Sequence, residues 1–159
     1  MDLYLMRHGL AVDREEGRPD AERPLTAEGV DKTRQVAQAL ARLGVAPDLV
    51  LTSALRRAAQ TADLALKELG GRRRTTAALT PGSPPGVLLD EVVSSKATTV
   101  LCVGHSPHLE QVIALALTGT DSLLCALKKA GVARLDLEPQ SKRAILLWLL
   151  PPGVARKLG

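Results

Sequence analysis

Residues Thr98-Thr99-Val100-Leu101-Cys102-Val103 form an unbroken apolar and β-branched run that stops at Gly104-His105-Ser106-Pro107. A strand that is apolar on both sides must be covered on both sides, which is the situation of a central strand in a parallel sheet packed between helices. The remaining segments supply the covering layers. Leu3-Tyr4-Leu5-Met6 is a similar run and breaks directly into Arg7-His8-Gly9. Asp48 to Thr52 reads as the next strand along the chain and Thr75 to Leu79 as the third.

Helical spacing fills the intervals between strands. Val30, Thr33, Ala37, Leu40 and Ala41 recur on one face, with Thr26 as N-cap, Glu28 in the first turn and Gly44 closing the helix. A second helix, capped by Ser53, runs to about Leu69. After the proline- and glycine-rich loop Thr80 to Gly86, a short helix covers about Val87 to Ser94. Ser106 as N-cap and Pro107 at the first helical position open another helix, to about Leu117. Val132 to Leu137 and Ala144 to Leu150, joined by the polar turn Glu138 to Arg143, form a terminal hairpin. The expected fold is α/β, a three-layer α/β/α sandwich whose mostly parallel central sheet has an antiparallel edge, as one domain over residues 1–159. Asp13 to Arg23 is a polar loop over the strand ends, and Arg72-Arg73-Arg74 after Gly70-Gly71 is a solvated turn.

Composition narrows the partners. A hydrophobic fraction of 45% and a charged fraction of 24% are those of a globular protein. No apolar stretch reaches bilayer-spanning length and no basic-then-apolar leader opens the chain, so the expectation is a cytoplasmic protein with no membrane partner. Cys102 and Cys125 are expected to be free thiols rather than a disulfide or a metal site. The net charge of +4 suits an anionic substrate. An aromatic content of 1% with no Phe lacks the stacking surface of a single-strand nucleic-acid binder, and no nucleic-acid partner is expected. No metal-spaced cluster, Walker loop or GxGxxG loop occurs, so neither metal nor organic cofactor is expected.

Arg7 and His8 fall where the first strand ends, the place where open α/β sheets bind ligands. Arginine offers a planar fork of donors that matches phosphate oxygens. Histidine can serve as nucleophile or proton carrier, and glycine lets backbone approach a ligand. His105 occupies a second strand-to-helix corner. Arg56 and Arg57 lie in an early helical turn, where the helix dipole disfavours cations unless an anion sits beside them. Neighbours on a helix point in different directions, so one of the two is solvated in any case. His108 reads as a polar residue in the first turn of its helix.

Four segments together carry a resemblance: Arg7-His8-Gly9; Arg23-Pro24-Leu25-Thr26 with Gly29; Ser53 to Thr61 in the pattern Ser-x-x-x-Arg-Ala-x-Gln-Thr; and Gly104-His105. In this order they resemble the histidine phosphatase, or phosphoglycerate mutase-like, superfamily, and within it the small SixA-type phosphohistidine phosphatases. The resemblance implies that His8 is the nucleophile and forms a covalent phosphohistidine. Arg7 and Arg57 would hold the phosphoryl oxygens, His105 would donate hydrogen bonds to them, and Gly9 and Ser106 would be among the substrate contacts. Arg56 is not carried over. His8 must present a neutral nitrogen, so its other nitrogen should donate to a backbone carbonyl.

One departure is informative. Larger members of the family carry a Glu or Asp in the loop after the third strand to protonate an alkoxide leaving group. Here that loop reads Ala78-Leu79-Thr80-Pro81-Gly82. An alkoxide leaves badly without a general acid, whereas the imidazole of a phosphohistidine can carry its own proton. The expected substrate is therefore phosphohistidine on a protein, a phosphocarrier or histidine phosphotransfer domain, with phosphate or another oxyanion in the site. Two other readings are a small-molecule phosphomonoesterase that recruits Asp13, Asp20 or Glu22 as the acid, and a non-catalytic phosphate- or phosphoprotein-binding module.

Overall fold

In the computed structural model, which describes residues 1–158, the two apolar runs pair with each other. Strand β1 (Asp2–Arg7) lies parallel to β4 (Thr99–Gly104), in a register that sets Arg7 opposite Gly104. Strand β2 (Leu49–Thr52) pairs parallel on the other side of β4, and β3 (Arg72–Thr75) pairs parallel with β2. The hairpin of β5 (Val132–Glu138) and β6 (Arg143–Leu150) adds antiparallel to β1. The result is one six-stranded sheet in the order β3-β2-β4-β1-β5-β6.

Helices cover both faces, which is why β1 from Leu3 to Met6 and β4 from Val100 to Val103 are buried and apolar. On one face α1 (Ala27–Arg42), α2 (Arg56–Leu69) and the one-turn α5 (Pro152–Ala155) bury Val36, Leu40, Ala58 and Ala62 against Tyr4, Met6, Leu101 and Val103. On the other face α3 (Pro85–Ser94) and α4 (His108–Thr118) bury Leu88, Val92, Leu109 and Ile113 against Leu3, Leu5, Val100 and Cys102. The alternation along each strand thus divides the core into two halves. Cys102 and Cys125 are both free. No helix among the described residues is long and apolar enough to cross a membrane.

The chain leaves β1 toward α1 on one face and leaves the adjacent β4 toward α4 on the other. Neighbouring strands whose connections diverge in this way open a crevice beyond their carboxyl ends. Thr26 caps α1 as expected, its side-chain oxygen accepting from Gly29 N at 2.9 Å. Gly29 has a second reason to be glycine, because a Cβ there would lie 2.0 Å from the Leu10 carbonyl oxygen. The chain leaving β1 can cross α1 only over a bare backbone.

Several local expectations are corrected. Ser53 does not cap α2; the helix starts at Arg56 after Leu55, and the Ser53 hydroxyl instead accepts from Leu55 N at 3.2 Å in the preceding turn. The third strand is Arg72–Thr75 rather than Thr75 to Leu79, and Ala77–Leu79 forms a 3-10 turn. The arginine run is therefore an edge strand, not a turn. It needs only one partner and no apolar face, and charged edge residues guard it against pairing with another sheet. Arg73 pairs with Asp63 at 3.1 Å and Arg74 with Glu91 at 2.9 Å. Ser106 does not cap α4, which begins at His108 after Pro107; its hydroxyl has a different partner, described below.

Candidate active site

The β1–β4 ladder continues one step past the strands, His8 N donating to Gly104 O at 2.9 Å. This brings the residues that follow each strand together: the rings of His8 and His105 are 5.1 Å apart, centroid to centroid, and tilted by 55°. Both are buried, with 7% and 3% of their surface exposed. With Arg7, Arg57 and Asp20 they line a cavity of about 330 Å³ at the carboxyl end of the sheet.

His8 is held in one tautomer. Its Nδ1 lies 2.7 Å from the carbonyl oxygen of Gly9. A carbonyl only accepts, so Nδ1 carries the hydrogen and Nε2 presents its lone pair. Arg57 confirms the assignment from the other side, its Nε–H donating to His8 Nε2 at 3.3 Å. Burial, aided by the charges of Arg57, Arg7 and Lys129 and opposed by the Gly9 hydrogen bond, lowers the His8 pKa to about 4. The ring is neutral at pH 7.

The pattern around Arg57 now has a physical reading. Residues three and four apart share a helix face, and on that face Arg57, Gln60 and Thr61 each fasten a different part of the site. Arg57 donates to the Asp20 carbonyl at 2.9 Å and to its carboxylate at 3.1 Å. Gln60 Oε1 accepts from Leu25 N at 2.7 Å. Thr61 Oγ1 accepts from Gly9 N at 3.0 Å and donates to the Arg57 carbonyl at 2.7 Å. Arg57 is only 4% exposed, whereas Arg56 is exposed and outside the cavity. The anion that relieves the unfavourable helix dipole is Asp20.

Gly9, expected as a substrate contact, is engaged by the scaffold. Its amide is committed to Thr61 and its carbonyl to His8, and a Cβ on it would lie 2.2 Å from Thr33 Oγ1. Ser106 lines the cavity, but its hydroxyl donates to Glu110 Oε1 at 2.6 Å. The same carboxylate oxygen accepts from Leu127 N at 3.0 Å, and the Leu127 carbonyl accepts from an Arg7 guanidinium nitrogen at 2.8 Å. Glu110 thus ties the β4 corner to the loop that aims Arg7. His105 has no protein partner on either ring nitrogen. Burial, then the proximity of His8 and Arg57, lowers its pKa to about 3, so it too is neutral, with one N–H free to donate. His108 is buried rather than solvated, and both its nitrogens lack partners.

The profile of the histidine phosphatase superfamily (branch 1) matches residues 3–80, a span that contains Arg7, His8 and Arg57. An uncharacterized protein of Picosynechococcus sp. is 35% identical over 165 residues, covering 95% of this chain and 100% of the relative. The structure of the protein histidine phosphatase SixA complexed with tungstate superposes with a TM-score of 0.86 at 25% identity, covering 96% of this chain and 98% of that one. The chain belongs to the histidine phosphatase superfamily. The alpha-ribazole phosphatase from Shigella flexneri shares the fold, with a TM-score of 0.69 at 20% identity over 96% of this chain and 97% of its own.

Membership marks this histidine phosphatase as a hydrolase of phosphoryl groups, on the phosphoglycerate mutase-like α/β fold that the sequence led us to expect. Several residues that line or brace the cavity lay outside those singled out as the site, among them Asp20, Lys129 and Glu110. Asp20 entered only as one of three candidate acids in a polar loop, and only the fold selects it. Lys129 lines the cavity from a segment with no strand or helix signal. Glu110 had a usable signal: a carboxylate four residues after Ser106 on a helix face that also carries Leu109 and Ile113, where a buried acid needs a partner.

Proposed function

We propose that the protein removes phosphate from phosphohistidine on other proteins, with His8 as nucleophile. The observation that carries this reading is the state of the only carboxylate lining the cavity among the described residues. From the loop Ala78 to Gly82, where the resemblance leads one to expect an acid in esterase relatives, Pro81 lines the cavity and no carboxylate does. Asp13 and Glu22 are exposed and do not line the cavity. Asp20 does line it, but it is bound to Arg57 and Arg23. Partial burial works against its ionisation, yet the Arg23 hydrogen bond and the charges of Arg57 and Arg23 outweigh this and hold its pKa below the ordinary value. A carboxylate kept ionised is a poor proton donor to an alkoxide, and phosphohistidine needs no such donor.

In the reaction, the His8 Nε2 lone pair attacks phosphorus and forms an N–P bond as the N–P bond to the substrate imidazole breaks. The substrate ring is protonated on its other nitrogen and leaves neutral. Nδ1–H stays hydrogen-bonded to the Gly9 carbonyl oxygen throughout, and that oxygen stabilises the positive charge that develops on the His8 ring. Arg57 transfers its Nε–H from Nε2 to a phosphoryl oxygen; Arg7 and the free N–H of His105 take others, supplying the positioning and charge stabilisation that phosphoryl transfer requires. Water then attacks phosphorus, the bond to Nε2 breaks and returns its electron pair to the neutral ring, and phosphate departs as dihydrogen phosphate carrying both of the water's protons.

The test is phosphate release from a histidine-phosphorylated carrier protein against release from a panel of small phosphate esters, with His8→Ala as blank. A much faster rate on the phosphoprotein supports the reading, and faster ester turnover overturns the substrate while leaving the nucleophile. Because Asp20 does reach the cavity, an esterase that draws its proton from this residue is the second reading. Asp20→Asn separates the two. It should change the phosphohistidine rate by less than about tenfold, whereas loss of a general acid costs about 10²–10⁴-fold.

A further inference from the structure

A second cavity of about 350 Å³ opens beside the first and shares Arg7 and Lys129 with it. Five cations line it, Arg7, Lys32, Lys128, Lys129 and Arg156, and no carboxylate does. Glu28, on α1, pairs with Lys32 and lies within the field of Arg156, and Asp20 lines the adjoining cavity with Arg7 and Lys129. Like charges gathered at this density repel one another unless an anion joins them.

The gathering is built in. The turn that carries Lys128 and Lys129 is closed by Gly131 N donating to Lys128 O at 2.7 Å. It is pinned to the catalytic corner by Ala130 N, which lies 3.1 Å from the carbonyl oxygens of both Arg7 and His8. Ala130 is 2% exposed and has φ of +62°, a left-handed conformation that alanine adopts only where its surroundings enforce it. The two lysines therefore stand at a set distance from His8, although their side chains are exposed.

From this geometry we infer that the second cavity is a subsite for carboxylate side chains that flank the phosphohistidine on the protein substrate. The inference rests on the phosphohistidine reading and names the substrate feature that reading leaves open. Exposed lysines on long flexible stems, around a floor that includes Leu10 and Pro152, suit several carboxylates spread over a surface. On a helix, residues three or four positions from the target histidine lie about 5–6 Å from it. Acids at those positions face the adjoining cavity while the phosphoryl group enters the first.

Two helical peptides test the assignment. Each carries one phosphohistidine, with Glu three and four residues to either side in one peptide and Gln at the same positions in the other. At low salt the parent protein is expected to prefer the Glu peptide by about tenfold or more in kcat/KM, mainly through KM, and added salt should erase the preference. Lys128→Glu and Arg156→Glu should each collapse the preference while leaving the Gln peptide within about twofold of the parent rate. Equal turnover of both peptides by the parent overturns the subsite and leaves the phosphohistidine activity standing. So does equal loss on both peptides in the variants, which would mean that these cations support the catalytic cavity itself. Turnover of neither peptide, with release from phosphate esters, overturns the phosphohistidine reading and the subsite with it.

Discussion

The corner after β1 and the corner after β4 are neighbours in the sheet, each presents a histidine, and they are finished in opposite ways. His8 has both ring nitrogens engaged, one by its own chain at Gly9 and one by Arg57. His105, 5.1 Å away, has neither. A ring locked from one side keeps a single tautomer and aims a single lone pair. A buried ring with no partner carries the desolvation cost of an unmade hydrogen bond, which a ligand can relieve. The proposed roles follow this difference, His8 as the attacking side chain and His105 as the receiving one, and the two roles predict different responses to change.

The largest effect belongs to the locked corner. His8→Ala should reduce phosphate release by about 10⁴-fold or more with an unchanged circular dichroism spectrum, because it removes the group that takes the phosphoryl. A variant retaining more than a hundredth of the parent rate would remove the β1 corner from the chemistry. The unpartnered corner should matter less: His105→Ala is expected to lose about 10²–10³-fold in kcat, the usual consequence of deleting one donor to a charged transition state. An equal loss in both variants would erase the distinction drawn here.

Glu110 sharpens the comparison through stability. It is 5% exposed and accepts from Ser106 and from Leu127 N, so it braces the β4 corner against the loop that aims Arg7. Glu110→Ala should lower unfolding free energy by about 1–3 kcal/mol in urea titration, since it leaves a buried amide without an acceptor. Activity should fall with it, and kcat more than KM if Arg7 is misdirected.

The smallest response is expected from pH. The His8 pKa is about 4 and that of His105 about 3, against an ordinary value of 6.5. NMR signals of both rings should therefore remain those of neutral imidazole down to about pH 5.5. The folded pKa values lie below the unfolded ones, so as pH falls through 6.5 the unfolded chain binds protons first. Urea midpoints should be level above pH 6.5 and decline between pH 6.5 and 4. A midpoint that rises on acidification would show that one of the rings is charged in the folded state.

Most of the site was legible because phosphoryl chemistry uses few residue types in strict local settings. Arg7-His8 after an apolar run and Gly104-His105 after another could be placed from neighbours alone, whereas the choice of Arg57 over Arg56 at the head of a helix came from the family resemblance. A backbone carbonyl on the second nitrogen of His8 was likewise foreseeable from the need for a neutral nucleophile, and the structure supplies it from Gly9. Element boundaries were less legible. Arg72–Thr75 is a strand because β2 lies beside it, and a run of four exposed residues carries no periodicity to announce that. Ser53 and Ser106 look like helix caps in isolation; other nearby partners, Leu55 N in a tight turn for one and the buried Glu110 carboxylate for the other, claim their hydroxyls.

What the sequence determined by itself is the layered α/β architecture and the placement of Arg7, His8 and His105 at strand ends, because burial on both faces of a strand is a local property. Only the tertiary structure decided which loop carboxylate reaches Arg57, that Gly9 packs against Thr33 with its amide on Thr61, and that Lys128, Lys129 and Arg156 gather beside Arg7. Those facts depend on contacts between segments tens of residues apart. No short-range pattern encodes them, because each side chain there is placed by the path of a different loop.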